Sequence, residues 1–114
     1  MTRQPPRARA GAPSGGQPPR RPNRHAERAK RLIQAELQKG QDPEFSAALI
    51  PPRKITVNFA GGFTEPCYLV ARPKGPYSVV YMPKAGYFSL CVASMFGPVD
   101  IGVHGGAMDC YASV

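Results

Sequence analysis

A chain of 114 residues and 12.3 kDa has room for one domain at most, and a formal net charge of +8, from 15 Lys or Arg against 7 Asp or Glu, points to a polyanionic partner. No apolar run approaches the roughly 18 residues of a membrane helix, and the apolar core of a secretory signal is missing. The expectation is a cytoplasmic protein, or a nuclear one in a eukaryote, that does not engage membranes.

The charge is unevenly placed. Residues 1–54 carry twelve Lys or Arg against four acids, whereas residues 55–114 carry three of each and are neutral. Residues 1–22 consist largely of Pro, Arg, Gly, Gln and Ala, with no large apolar side chain after Met1, so nothing offsets the entropy of ordering them. This segment reads as a disordered basic arm. It is Arg-rich and acid-free, as organelle transit peptides are, but its prolines oppose the amphipathic helix such peptides form.

Asn23 stands where an N-cap belongs, and the run Arg24 to Lys39 has no Pro or Gly and is rich in strong helix formers. Gly40 supplies a stop. Ala29, Leu32, Ile33 and Leu37 form an apolar stripe, while Arg21, Arg24, Arg28 and Arg31 recur at spacings of three and four on another face. Glu27 is placed to pair with Arg31. A helical turn is expected from Asp42 and Pro43, with Phe45 and Leu49 one turn apart and Pro51-Pro52 ending it.

Beyond Arg53-Lys54 the texture becomes β-branched and aromatic. Strands are expected at Ile55–Ala60, Cys67–Arg72, Tyr77–Met82, Tyr87–Ser94 and Val99–Val103, separated by Gly- and Pro-containing turns too short for anything but antiparallel neighbours. The expected fold class is therefore small α+β: a disordered basic arm (1–22), a basic amphipathic helix and short helical turn (23–50), and an antiparallel β meander of four or five short strands (51–114). Gly105 to Val114 is compatible with a helix or a strand. A β unit of about 60 residues buries a limited core, so self-association or a protein partner is expected to supply part of its stability.

A stripe of guanidinium groups can follow a phosphate backbone, because each offers paired planar donors and stays charged. Candidate nucleic-acid contacts are Arg20, Arg21, Arg24, Arg28, Arg31, Arg53 and Lys54. The pentapeptides Pro73-Lys74-Gly75-Pro76-Tyr77 and Pro83-Lys84-Ala85-Gly86-Tyr87 repeat ten residues apart, each setting a lysine in a turn and a tyrosine at a strand start. Repeated hairpin chemistry accounts for them. A secondary binding surface of Lys74, Tyr77, Lys84 and Tyr87 is the sharper reading.

Cys67, Cys91, His104 and Cys110 are zinc-ligand types, but no CxxC or HxxxH spacing joins them, and Cys67 and Cys91 fall inside apparent strands. Free structural thiols, no metal and no cofactor are expected. Cys110, His104 and Asp100 or Asp109 could be composed into a catalytic set, yet no nucleophile elbow, phosphate loop or close carboxylate pair supports one. The sequence therefore reads as a non-enzymatic binding protein that grips nucleic acid through phosphates. The alternative is a small adaptor or inhibitor whose β domain contacts a protein.

Overall fold

The computed structural model describes residues 23–73 and 75–114. In chain order the elements are α1 (Arg24–Lys39), α2 (Pro43–Ala48), β1 (Leu49–Phe59), β2 (Phe63–Ala71), β3 (Tyr77–Met82), β4 (Tyr87–Val92), β5 (Val99–Gly105) and α3 (Ala107–Ala112). The fold is small α+β, with the five strands running as a meander whose consecutive members pair antiparallel. The expectation for the arm falls on residues 1–22, outside the described residues, as do Arg20, Arg21 and Lys74.

The meander closes on itself as a barrel in the order β1-β2-β3-β4-β5. Closure rests on one parallel pair, Asn58 with Val99, and on Asn58 N donating to Pro98 O at 2.9 Å. An odd number of consecutively antiparallel strands leaves first and last parallel, which explains the sense of the seam. Among the described residues, no helix is long and apolar enough to cross a membrane.

Two apolar layers follow from the alternation of side chains along the strands. Val57, Cys67, Leu69, Val80, Met82 and Cys91 fill the barrel. Tyr68, Val70, Val79, Tyr81, Phe88 and Leu90 face outward and are covered by Ala29 and Ile33 of α1, Phe45 of α2, and Ala107 and Cys110 of α3. The middle strands are thus buried on both faces. Residues 23–50 do not stand apart from the β unit: their apolar side chains complete its outer layer.

α1 begins and ends where the sequence places it. Asn23 Oδ1 accepts from His25 N and Ala26 N at 3.0 and 3.1 Å. Asp42 caps α2 in the same way, through Glu44 N and Phe45 N. Gly40, however, ends α1 in extended conformation (φ −166°, ψ 137°) rather than in the left-handed region, while Gln41 Nε2 donates to Leu37 O at 2.9 Å and satisfies a terminal carbonyl. Glu27 pairs with Lys30 at 3.3 Å, not with Arg31.

Pro51-Pro52 does not end an element. β1 starts at Leu49 and runs through both prolines, which occupy a bulge between the pairs Leu49–Ala71 and Arg53–Leu69. A bulge is where a strand tolerates residues that cannot donate to the ladder. The segment after Gly105 is a helix. Gly106 has no side chain to cap it, and Glu36 of α1 does so instead, its two carboxylate oxygens accepting from Ala107 N and Met108 N at 2.9 Å each.

Candidate nucleic-acid interface

Because α1 turns Ala29, Ile33 and Leu37 onto the barrel, the opposite side of the helix faces solvent. Arg24, Arg28 and Arg31 lie there, all exposed, along a track of about 10 Å set by the helical rise. Among the described residues none of the three is in an ion pair, although the exposed Glu27 lies between Arg24 and Arg31 along the helix. Glu27 is held by Lys30, Glu36 by α3, Asp42 by α2, and Asp100 by Ser89 and His104. Among the described residues, Arg24, Arg28, Arg31, Arg53, Lys54 and Lys84 make no ion pair, and residues 1–22 and Lys74 contain no acid to supply one.

Arg53 and Lys54 do not act as a pair. Adjacent strand residues face opposite sides, and Arg53 registers with Leu69 whereas Lys54 registers with Tyr68. Lys54 therefore shares the helix-covered side with Tyr68, and it lines a cleft of about 260 Å³ together with His25, Pro66, Tyr68, Pro83 and Lys84. Asn23 fixes one wall: with its Oδ1 committed to the helix cap, its Nδ2 donates to Tyr68 Oη at 3.0 Å. The His25 and Tyr68 rings lie 6.0 Å apart at 46°.

The secondary surface does not assemble as one patch. Tyr77 pairs with Val92 at one end of the β3–β4 hairpin, while Tyr87 pairs with Met82 at the other, about 17 Å away by strand rise. Tyr77 lines a cleft with Asp42, Glu44 and Tyr111, acidic company that opposes a polyanion. Tyr87 is 42 % exposed and lies beside His104, ring centroids 5.5 Å apart. Lys84 leaves the tyrosines and joins Lys54.

Asp100 and His104, two of the residues that could be composed into a catalytic set, lie together with Ser89. His104 Nε2 lies 3.1 and 3.2 Å from the two Asp100 oxygens, and Ser89 Oγ, fully buried, donates to Asp100. The carboxylate, not the imidazole, is central, so His104 does not address the serine as a base would. Burial pushes the thiols of Cys67 and Cys110 up to about 11 and that of Cys91 up to about 12, with nearby carboxylates adding to the effect, which leaves them protonated and poorly nucleophilic. Among the described residues, no three His, Cys, Asp or Glu side chains are grouped to hold a metal ion.

One surface feature escaped the sequence reading. Ser94 and Gly97 exchange backbone hydrogen bonds, Gly97 N to Ser94 O at 3.0 Å and Ser94 N to Gly97 O at 3.1 Å, making Met95-Phe96 a two-residue hairpin loop. Ser94 Oγ braces it by donating to Gly97 O and accepting from Phe96 N, and Asn58 Nδ2 donates to Phe96 O at 3.1 Å. Met95 and Phe96 are thereby held 88 % and 82 % exposed. The bracketing Ser and Gly were the available local signal. Compared with known proteins, the chain matches no family model, no curated relative and no solved structure.

Proposed function

We propose that the chain is a non-enzymatic nucleic-acid-binding protein in which the barrel is a scaffold and the outer face of α1, continued by the basic segment before it, grips phosphates. The observation that carries this reading is the arginine face of α1: the helix is anchored by its apolar stripe, so Arg24, Arg28 and Arg31 are presented on a rigid element and, among the described residues, none of the three is in an ion pair. Such a face attracts polyanions and releases counterions on binding, largely without regard to sequence.

The test measures affinity for labelled nucleic acid as a function of salt, up to about 150 mM, where weak counterion-driven binding has faded. Replacing Arg24, Arg28 and Arg31 with alanine should flatten the slope of log affinity against log salt by about 2.7 units, and replacing Arg3, Arg7 and Arg9 by much less. Equal losses from the two triples would reduce the protein to an unspecific polycation. The alternative, an adaptor that binds a protein, draws support from Met95 and Phe96, since large apolar side chains held in water are typical of interface anchors. Absence of any nucleic-acid shift would favour it.

A further inference from the structure

The cleft at the start of α1 combines two kinds of wall. Pro66, Pro83 and the exposed ring of His25 offer apolar and aromatic surface over the nearly buried Tyr68, while Lys54 and Lys84 reach it from separate elements on either side of β2. Both lysines have fixed roots. Lys54 stands opposite Tyr68 in the β1–β2 register, and Lys84 sits in a turn closed by Gly86 N donating to Met82 O at 2.8 Å. Tyr68 Oη accepts from Asn23, and among the described residues nothing accepts its proton, so the hydroxyl has a donor to offer.

We propose that this cleft takes one unpaired nucleotide of DNA or RNA, its base against the proline and aromatic walls and its phosphate between the ammonium groups of Lys54 and Lys84. The inference rests on the nucleic-acid reading above and refines it to a preference for single strands. A base held in a helical stack presents only its edge, whereas an unpaired base can turn its face to a ring. The cleft, about 260 Å³ in volume and open to solvent, has room to seat one ring with its phosphate. The charge agrees as well, because neither lysine is paired with a carboxylate among the described residues and no acidic side chain lines the cleft.

The experiment uses the full chain with labelled oligo(dT), oligo(U) and duplex probes of about 12 nucleotides per strand, a length within a single-domain site. The intact protein should favour the single strands over the duplex by roughly tenfold, as one stacked base implies. The double variant Lys54→Ala/Lys84→Ala should lose that preference, its affinity for the single strands falling by roughly tenfold more than its affinity for the duplex, and Arg24→Ala/Arg28→Ala/Arg31→Ala should weaken all three probes together. Equal affinity of the intact chain for single and double strands, or equal loss on all probes from the lysine pair, overturns the nucleotide cleft and leaves the phosphate-gripping reading standing. An NMR titration with uridine 5′-monophosphate and with inorganic phosphate is independent of that reading. Shifts at His25, Lys54, Tyr68 and Lys84 with the nucleotide and weaker ones with phosphate support the cleft even if no oligonucleotide binds. No shift with the nucleotide, or the same shifts with phosphate alone, refutes it.

Discussion

Glu36 joins residues from distant parts of the chain with two hydrogen bonds. Its carboxylate satisfies the first two amides of α3, and a Cβ at Gly106 would come within 3.2 Å of it, so the position before α3 is kept bare for the approach. Glu36→Ala leaves both amides unpartnered and should cost about 1–2 kcal/mol, read as a lowered urea midpoint; Glu36→Gln keeps one acceptor and should fall between. The cysteines set a pH limit. Their folded pKa values lie near 11 to 12, above the ordinary 9.0, so the folded state holds these protons more tightly than the unfolded chain. Their contribution is whole below 9.0 and is lost as pH rises through 11 to 12, which makes stability fall with pH on the alkaline side. Urea unfolding at several pH values from about 8 upward should show that decline, and Cys91→Ala, less stable throughout, should show a shallower one. A decline of equal steepness in Cys91→Ala would assign the effect to other groups.

At the scale of elements, α1 is a structural member as well as a candidate interface. Ile33 is 6 % exposed in the outer apolar layer, and Ile33→Ala should cost about 2–4 kcal/mol. Deleting residues 2–22, which contribute no large apolar side chain, should leave the melting temperature nearly unchanged. A large drop on that deletion would mean that the segment packs on the barrel. α1 was legible in the sequence because its stripe and charged face lie within one run of sixteen residues and its cap, Asn23, immediately precedes that run. β3 was legible for the same reason, being a β-branched run between turn residues. The features that escaped depend on distant partners. α3 has no local cap, since its cap lies 71 residues upstream, and barrel closure depends on Asn58, whose side chain bonds residues 38 and 40 positions away. Lys54 and Lys84 were each singled out, yet only the β1–β2–β3 register shows that they share a cleft while Arg53 and Tyr87 lie elsewhere.

The whole molecule separates charge from apolar surface along β4. The turn bearing Lys84 precedes Tyr87, and the Met95-Phe96 loop follows Val92, so the basic cleft and the apolar loop lie at opposite ends of a strand about 17 Å long. Near the loop, Asn58 ties β1 to Phe96, and the next residue, Phe59, stacks its ring on Phe63, itself 50 % exposed. A small domain with this much apolar surface in water has a reason to bury it against another molecule, and a second copy of the chain is always at hand. Sedimentation over a range of protein concentrations should therefore show association of the intact chain, and Met95→Ser/Phe96→Ser should sediment as a monomer. Because both side chains are exposed in the monomer, that variant should unfold within about 0.5 kcal/mol of the intact protein at concentrations low enough for both to be monomeric. Its salt slope for nucleic acid should also be unchanged at matched monomer concentration, since sites this far apart without shared partners contribute independently. The arginine triple should behave in the opposite way, associating normally and binding nucleic acid weakly. If the serine variant associates as the intact chain does, the loop is not the contact between copies. If it loses association and nucleic-acid binding together, binding requires the assembled form, and the arginine faces of two copies must act on one strand.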